Sequence, residues 1–199
     1  MSPADTRTLV AAWPDGSRTA TAGATTREFA TGVTVLTCGG DESTHGVTVS
    51  TLTLASMKPP MVSVALRRGS RGLTALLGAK TFVVNALSDL QESLARHFAR
   101  PDRGEGLDGP GLDVWDGRTA DGVPLLGGAV GWLECRVERT VAAGDHELIL
   151  ARVTSARLGN AAAPLLNFAG TLHRVPPARA PSAPDAAAAP TDDDTRSPR

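Results

Sequence analysis

Six or seven antiparallel strands closed into a barrel, with a few short peripheral helices, is the mainly β fold class this sequence predicts. Six segments between Val33 and Arg157 carry strand patterning. Helical periodicity is confined to three short stretches, and the order of elements is not that of a βαβ array.

Taken in order, Thr25 or Thr26 is placed to cap a short helix carrying Phe29. Val33 to Thr37 (VTVLT) and Val47 to Leu54 (VTVSTLTL) are rich in β-branched residues and alternate small or polar with apolar side chains. Met61 to Leu66 (MVSVAL) and Thr81 to Ala86 (TFVVNA) are short apolar runs suited to buried strands. Between them, Ser70 is placed to cap a helix through Leu73, Leu76 and Leu77 that ends near Gly78. Ser88 reads as the cap of the next helix, in which Leu90, Leu94 and Phe98 recur at i, i+4 and i+8. Asp89 and Glu92 then fall in its first turn, where the helix dipole favours acids, and Pro101 follows its end. Gly128 to Arg139 and Glu147 to Arg157 read as two longer strands, joined through Ala142-Ala143-Gly144-Asp145 as a hairpin.

A chain of 199 residues with 41% hydrophobic content fits one packed domain with tails. Residues 1–24 read as a flexible N-terminal segment, with Leu9, Val10 and Trp13 as packing points, and residues 25–175 as the folded unit. Residues 176–199 are Pro, Ala, Ser and Asp with no apolar periodicity. Such a tail cannot offset its ordering entropy and is expected to be disordered. The net charge of −1, with no basic stripe, argues against a nucleic-acid partner. No signal-type stretch and no run of 18 apolar residues is present, so a soluble, cytoplasmic protein without membrane association is expected. Cys38 and Cys135 are far apart and suit two buried reduced thiols.

The motif search excludes several chemistries. Gly104-Glu105-Gly106-Leu107-Asp108-Gly109 matches GxGxxG literally, but a dinucleotide fingerprint needs a strand before it and a helix after it. Here a helix ends before it and Pro110 follows, which reads as a flexible loop. No Walker loop, GxSxG elbow, CxxC pair or HExxH motif occurs. His45, His97, His146 and His173 lack ligand spacing, so no metal site is expected.

Five segments, in register, resemble the flavin reductase-like FMN-binding split-barrel family, which includes the small reductases of two-component monooxygenases. They are Ala30 to Thr37 (ATGVTVLT); His45 to Thr51 (HGVTVST), continuing to Ser56 and Pro59-Pro60; and Phe82 to Leu87 (FVVNAL) with Leu94 and Phe98-Ala99. The fourth is Trp132 to Cys135 (WLEC) with Gly144-Asp145-His146, and the fifth is Pro164 to Gly170 (PLLNFAG). Together they span residues 27–175. The resemblance implies a split β-barrel of Greek-key type, FMN or FAD as cofactor and NADH or NADPH as electron donor. It also implies a homodimer with the flavin near the subunit interface.

A flavin needs an apolar slot for its ring and donors for its pyrimidine edge and phosphate. The strand and loop holding Val47, Thr48, Val49, Ser50, Thr51 and Ser56 are matched to flavin binding, with hydroxyls and backbone N–H groups as donors. Ser70 and Thr74 stand at a helix start, where N–H groups favour a phosphate. Asn85 at a strand end is placed either to pair with the ring or to brace the loop, and Ala86 and Phe98 complete the cofactor set. From the residues alone, these same positions also read as a Thr/Ser-rich barrel strand and an ordinary helix cap.

His146 is by spacing a solvated turn histidine. By resemblance it is the catalytic residue beside the flavin where the nicotinamide lands, either orienting the carboxamide or influencing proton supply, with Asn167, Phe168 and Gly170 shaping the same site. Three positions depart from the family pattern. Lys58 stands where the family has Asp, and is either a phosphate contact or a solvated lysine. Asn167 replaces an aromatic and Ala169 an arginine, which weakens the case for NADPH. The implied activity is hydride transfer from NAD(P)H to FMN or FAD, with reduced flavin passed to a partner monooxygenase. The alternative is a flavin-binding protein, or a flavin-dependent oxidase or oxygenase of specialised metabolism, without efficient nicotinamide turnover.

Overall fold

Seven strands form one antiparallel sheet whose two edge strands are neighbours in the chain. The computed structural model describes residues 21–40, 44–103, 114–161 and 163–175. The sheet comprises β2 (Thr34–Cys38), β3 (His45–Val49), β4 (Thr53–Met57), β5 (Pro60–Arg67), β6 (Thr81–Ala86), β9 (Gly131–Ala143) and β10 (His146–Leu158), in the order β3-β2-β6-β9-β10-β5-β4. A second sheet joins β1 (Thr31–Gly32), β11 (Leu165–Phe168) and β12 (Thr171–Arg174) in the order β1-β11-β12. β7 (Trp115–Arg118) pairs with β8 (Pro124–Leu126). Three helices complete the fold: α1 (Ala22–Thr26), α2 (Arg71–Ala79) and α3 (Glu92–Ala99).

The expected single strand Val47 to Leu54 is divided. β3 stops at Val49 and β4 begins at Thr53, so Ser50-Thr51-Leu52 carries the chain from one edge of the sheet to the other. Thr51 explains how that crossing is held without a ladder. Its hydroxyl donates to the Ala65 carbonyl at 3.0 Å and accepts from the Ala65 N–H at 3.1 Å, standing in for a strand neighbour of β5. Both edges of the sheet face one core. Val49 of β3 and Val62, Val64 and Leu66 of β5 pack with Leu36, Phe82, Val84 and Ile149, and Leu73 and Leu76 of α2 enter the same cluster. This is the expected barrel, split where β3 passes to β4.

α2 begins as predicted. Ser70 accepts from the Leu73 N–H at 3.2 Å, and Lys80, in the left-handed region, ends the helix. Gly72 lets this helix lie on β3: a Cβ there would meet the Val47 side chain at 3.1–3.3 Å.

Other boundaries differ from expectation. Thr21, not Thr25 or Thr26, caps α1, and Phe29 lies beyond that helix and is exposed. Ser88 does not cap α3. Its residue is buried, its N–H donates to the Gln91 side chain, and its backbone bridges to Pro164. The helix therefore starts three residues later than expected, and Leu90 is 76% exposed while Leu94 and Phe98 keep their inward places. The β9–β10 turn is only Gly144-Asp145, because Ala142 and Ala143 remain in the ladder opposite Glu147 and His146. The short strands β7, β8, β11 and β12 were not foreseen. The GxGxxG segment, residues 1–20 and residues 176–199 lie outside the described residues. Among the described residues no helix is long and apolar enough to cross a membrane. Both cysteines are free and buried, and burial pushes each thiol up to about 12, with Glu134 adding to the effect at Cys135.

Candidate functional site

At the split in the barrel, three of the residues expected to serve the cofactor and the nicotinamide, Thr51, Ser70 and His146, are joined through β5. Thr51 binds Ala65 on β5, and two residues further on Arg67 stands opposite His146 in the β5–β10 ladder. The Arg68 N–H donates to the Asp145 carbonyl at 2.9 Å and the Ser70 N–H to the Arg67 carbonyl at 3.1 Å. The chain therefore runs directly from the β5 end, past the β9–β10 turn, into the first turn of α2. Asp145 Oδ1 lies 2.8 Å from His146 Nδ1, which orients the imidazole and leaves Nε2 free of that contact. The same bond draws the Asp145 carboxyl below its ordinary range.

A cationic corner borders this seam, and sequence reading missed it. Arg71, the first residue of α2, donates to the carbonyls of Pro101 and Arg103 at 2.9 and 3.0 Å. Arg103 donates to the Gly46 carbonyl and lies 3.0 Å from His45 Nε2. Burial, then Arg103, then Arg71 hold His45 down to about 4, so it stays neutral and accepts from the guanidinium. The Arg103 Nε is buried with no partner among the described residues. The signal available in the sequence was weak, since His45, Arg71 and Arg103 are scattered over 58 positions.

The remaining predicted residues divide by how their side chains are used. Thr48 donates to the Ala95 carbonyl of α3 at 2.8 Å, so its hydroxyl holds a helix. Asn85 is fully buried: its amide donates to Val35 O and Thr37 Oγ1, and its oxygen accepts from the Leu126 N–H. Of its two expected roles, this is the brace. Val49 faces the barrel core and Phe98 the second core beneath α3. Val47 packs under Gly72, Ser50 is half-buried in the crossing, and Ser56 accepts from the Lys58 N–H at 3.2 Å. Thr74 donates back to the Ser70 carbonyl at 3.3 Å.

Ala86 and Leu52 line an apolar pocket of about 350 Å³ with Val84, Gly131, Trp132 and Leu158. The Arg157 guanidinium lies 4.6 Å from the centroid of the Trp132 ring at its wall.

Asn167 and Phe168 lie on β11 of the three-stranded sheet and Gly170 in the turn after it, whereas His146 begins β10 of the seven-stranded sheet. Thr31 faces Asn167 and Gly32 faces Leu166 across the β1–β11 ladder. The Thr31 hydroxyl is buried and has no partner among the described residues.

These features fit a flavin. The apolar pocket, the cationic corner at a helix start, and the buried Arg103 Nε and Thr31 hydroxyl are, each taken by itself, the kinds of groups its ring and phosphate require. The site belongs to a flavin-handling split barrel. The chain matches the flavin reductase like domain over residues 26–176 and belongs to that family. It is 36% identical over 151 residues to the NADPH-flavin oxidoreductase of Streptomyces viridifaciens, covering 75% of this chain and 77% of that protein. It is 36% identical over 150 residues to the NADH-dependent FAD reductase of Streptomyces globisporus, covering 75% and 82%. Among solved structures, the flavin reductase component of a bacterial two-component tryptophan halogenase superposes with a TM-score of 0.72. That match has 31% identity and covers 79% of this chain and 97% of the other.

Proposed function

We propose that this chain is an NAD(P)H:flavin oxidoreductase that passes a hydride from nicotinamide to FMN or FAD and supplies reduced flavin to a partner monooxygenase. The observation that carries this reading is the seam itself: the Thr51 hydroxyl bonded to β5, and backbone bonds from β5 to the start of α2 and to His146, tie these groups together beside two arginines. The relatives agree in kind. The reductase component of 4-hydroxyphenylacetate 3-monooxygenase from Thermus thermophilus is 33% identical over 141 residues, covering 70% of this chain and 85% of that protein.

A flavin bound here supplies the hydride acceptor, and the protein needs no nucleophile of its own. Its residues orient the rings and exclude water. The first turn of α2, with Ser70, Arg71 and Thr74, is the proposed phosphate end, and backbone groups of Ser50-Thr51-Leu52 address the ring. The pocket wall of Leu52 and Ala86 keeps the slot apolar. His146, oriented by Asp145, positions the nicotinamide carboxamide.

We infer a homodimer as well: the Asn167–Gly170 segment belongs to the three-stranded sheet, whereas His146 begins β10 of the seven-stranded sheet. A partner copy that brings its Asn167–Gly170 segment to this His146 would complete the nicotinamide site.

NADH oxidation assayed with and without added FMN or FAD tests the reading. Turnover that requires added flavin supports it. A yellow protein inert to NADH supports a flavin-binding carrier instead.

A further inference from the structure

The loop after α1 ties an arginine to the β11–β12 turn. Arg27 caps α1 at its C-terminal end, and its carbonyl accepts from the Ala169 N–H at 2.8 Å. Four residues on, Thr31 pairs with Asn167 in the β1–β11 ladder. Arg27 is thus held against the 167–170 segment from both sides, by a hydrogen bond at Ala169 and by a strand at Asn167. The turn it borders reverses through Ala169 and Gly170, both at positive φ, of 51° and 76°. That turn presents Phe168, 39% exposed, with its ring 5.8 Å from the His173 ring. Beside them is the orphaned Thr31 hydroxyl.

Arg27 is exposed and makes no ion pair with a carboxylate among the described residues. A guanidinium is always charged, and its planar fork suits a phosphate oxygen pair. A half-exposed aromatic on which a planar ring can stack, a buried hydroxyl lacking a partner among the described residues, and an arginine whose backbone is fixed alongside match a ring-plus-phosphate ligand.

We propose that Arg27 binds a phosphate group of the nicotinamide dinucleotide. This rests on the reading that residues 167–170 receive the nicotinamide. Arg27 is then a binding residue that acts on donor affinity rather than on the hydride step.

The test compares the full chain with Arg27→Ala and Arg27→Lys. Each is assayed with NADH and with a phosphate-free donor, N-benzyl-1,4-dihydronicotinamide, using FMN or riboflavin as acceptor. Loss of one charge-assisted contact predicts that Arg27→Ala raises the KM for NADH about 10-fold, with kcat changed by less than about 2-fold. Arg27→Lys recovers part of that loss, and the phosphate-free donor shows no change in either variant. Three results overturn the proposal: an unchanged KM for NADH; an equal rise with the phosphate-free donor, which marks a structural role; or a rise in the KM for FMN but not for riboflavin, which assigns Arg27 to the flavin phosphate. Oxidation of neither donor by the unaltered protein overturns the reductase reading beneath it as well.

Discussion

Thr31 and Asn167 stand opposite each other where β1 meets β11, and the Thr31 hydroxyl is buried there without a hydrogen-bond partner among the described residues. An unsatisfied buried hydroxyl costs about 1–3 kcal/mol, so Thr31→Val, which keeps the shape, is expected to stabilise the ligand-free protein by about 1 kcal/mol. If that hydroxyl serves a ligand, the same variant weakens ligand binding about 5- to 10-fold. Thermal unfolding of the free protein, alongside KM for NADH and Kd for FMN, reads both effects. A destabilised variant with unchanged ligand constants contradicts the expectation.

Asn85 is expected to matter for the fold before the cofactor. Its side chain makes three buried hydrogen bonds, to Val35 O, Thr37 Oγ1 and the Leu126 N–H, linking β6 to β2 and to β8. Asn85→Ala leaves these groups unpaired and is predicted to lose about 3 kcal/mol or more in denaturant unfolding. A variant of wild-type stability that fails only to bind flavin would show that the ring, not the brace, is its main partner.

His45 gives a pH signature. Its folded value of about 4 lies below the ordinary 6.5, chiefly through burial and then through Arg103 and Arg71. Between those values the unfolded chain takes up a proton that the folded chain does not. Stability therefore falls as pH falls through the window and is fully present above it. Because the imidazole is only half buried, the expected loss across the window is discounted to about 1–2 kcal/mol. His45→Asn removes that part of the slope. Identical pH profiles for the two proteins in denaturant unfolding would refute the assignment.

His146→Ala is expected to weaken nicotinamide use more than flavin binding, lowering kcat/KM for NADH by about 10- to 100-fold while the Kd for FMN changes by less than about 3-fold. Unchanged NADH kinetics in that variant rule the role out.

Patterns that depend on burial were the ones legible in the sequence. Thr81 to Ala86 was read to the residue, because a six-residue run with apolar positions on both faces has few other uses. Ser70 was legible as a cap because the apolar positions after it, Leu73 and Leu76, fix the helix phase. Ser88 misled for the opposite reason. Leu90 matches the helical period, yet Gln91 takes the Ser88 N–H and delays the helix, a tertiary choice no periodicity records. The division of Val47 to Leu54 was hidden too, since Thr51 keeps β-branched character while its hydroxyl substitutes for a ladder. Of the candidate site, Thr51 and His146 were named through the family resemblance and Ser70 through its place at a helix start. The His45, Arg71 and Arg103 corner was not, because it exists only once α2, β3 and the segment after α3 meet.

Anaerobic reduction of free flavin is the measurement that bears most directly on the central claim. Catalytic amounts of the protein, mixed with excess FMN or FAD and NADH, are expected to bleach many equivalents of flavin per chain, because the flavin binds, accepts hydride and leaves. Bleaching that stops at one equivalent per chain, or does not occur with either nicotinamide, would contradict it.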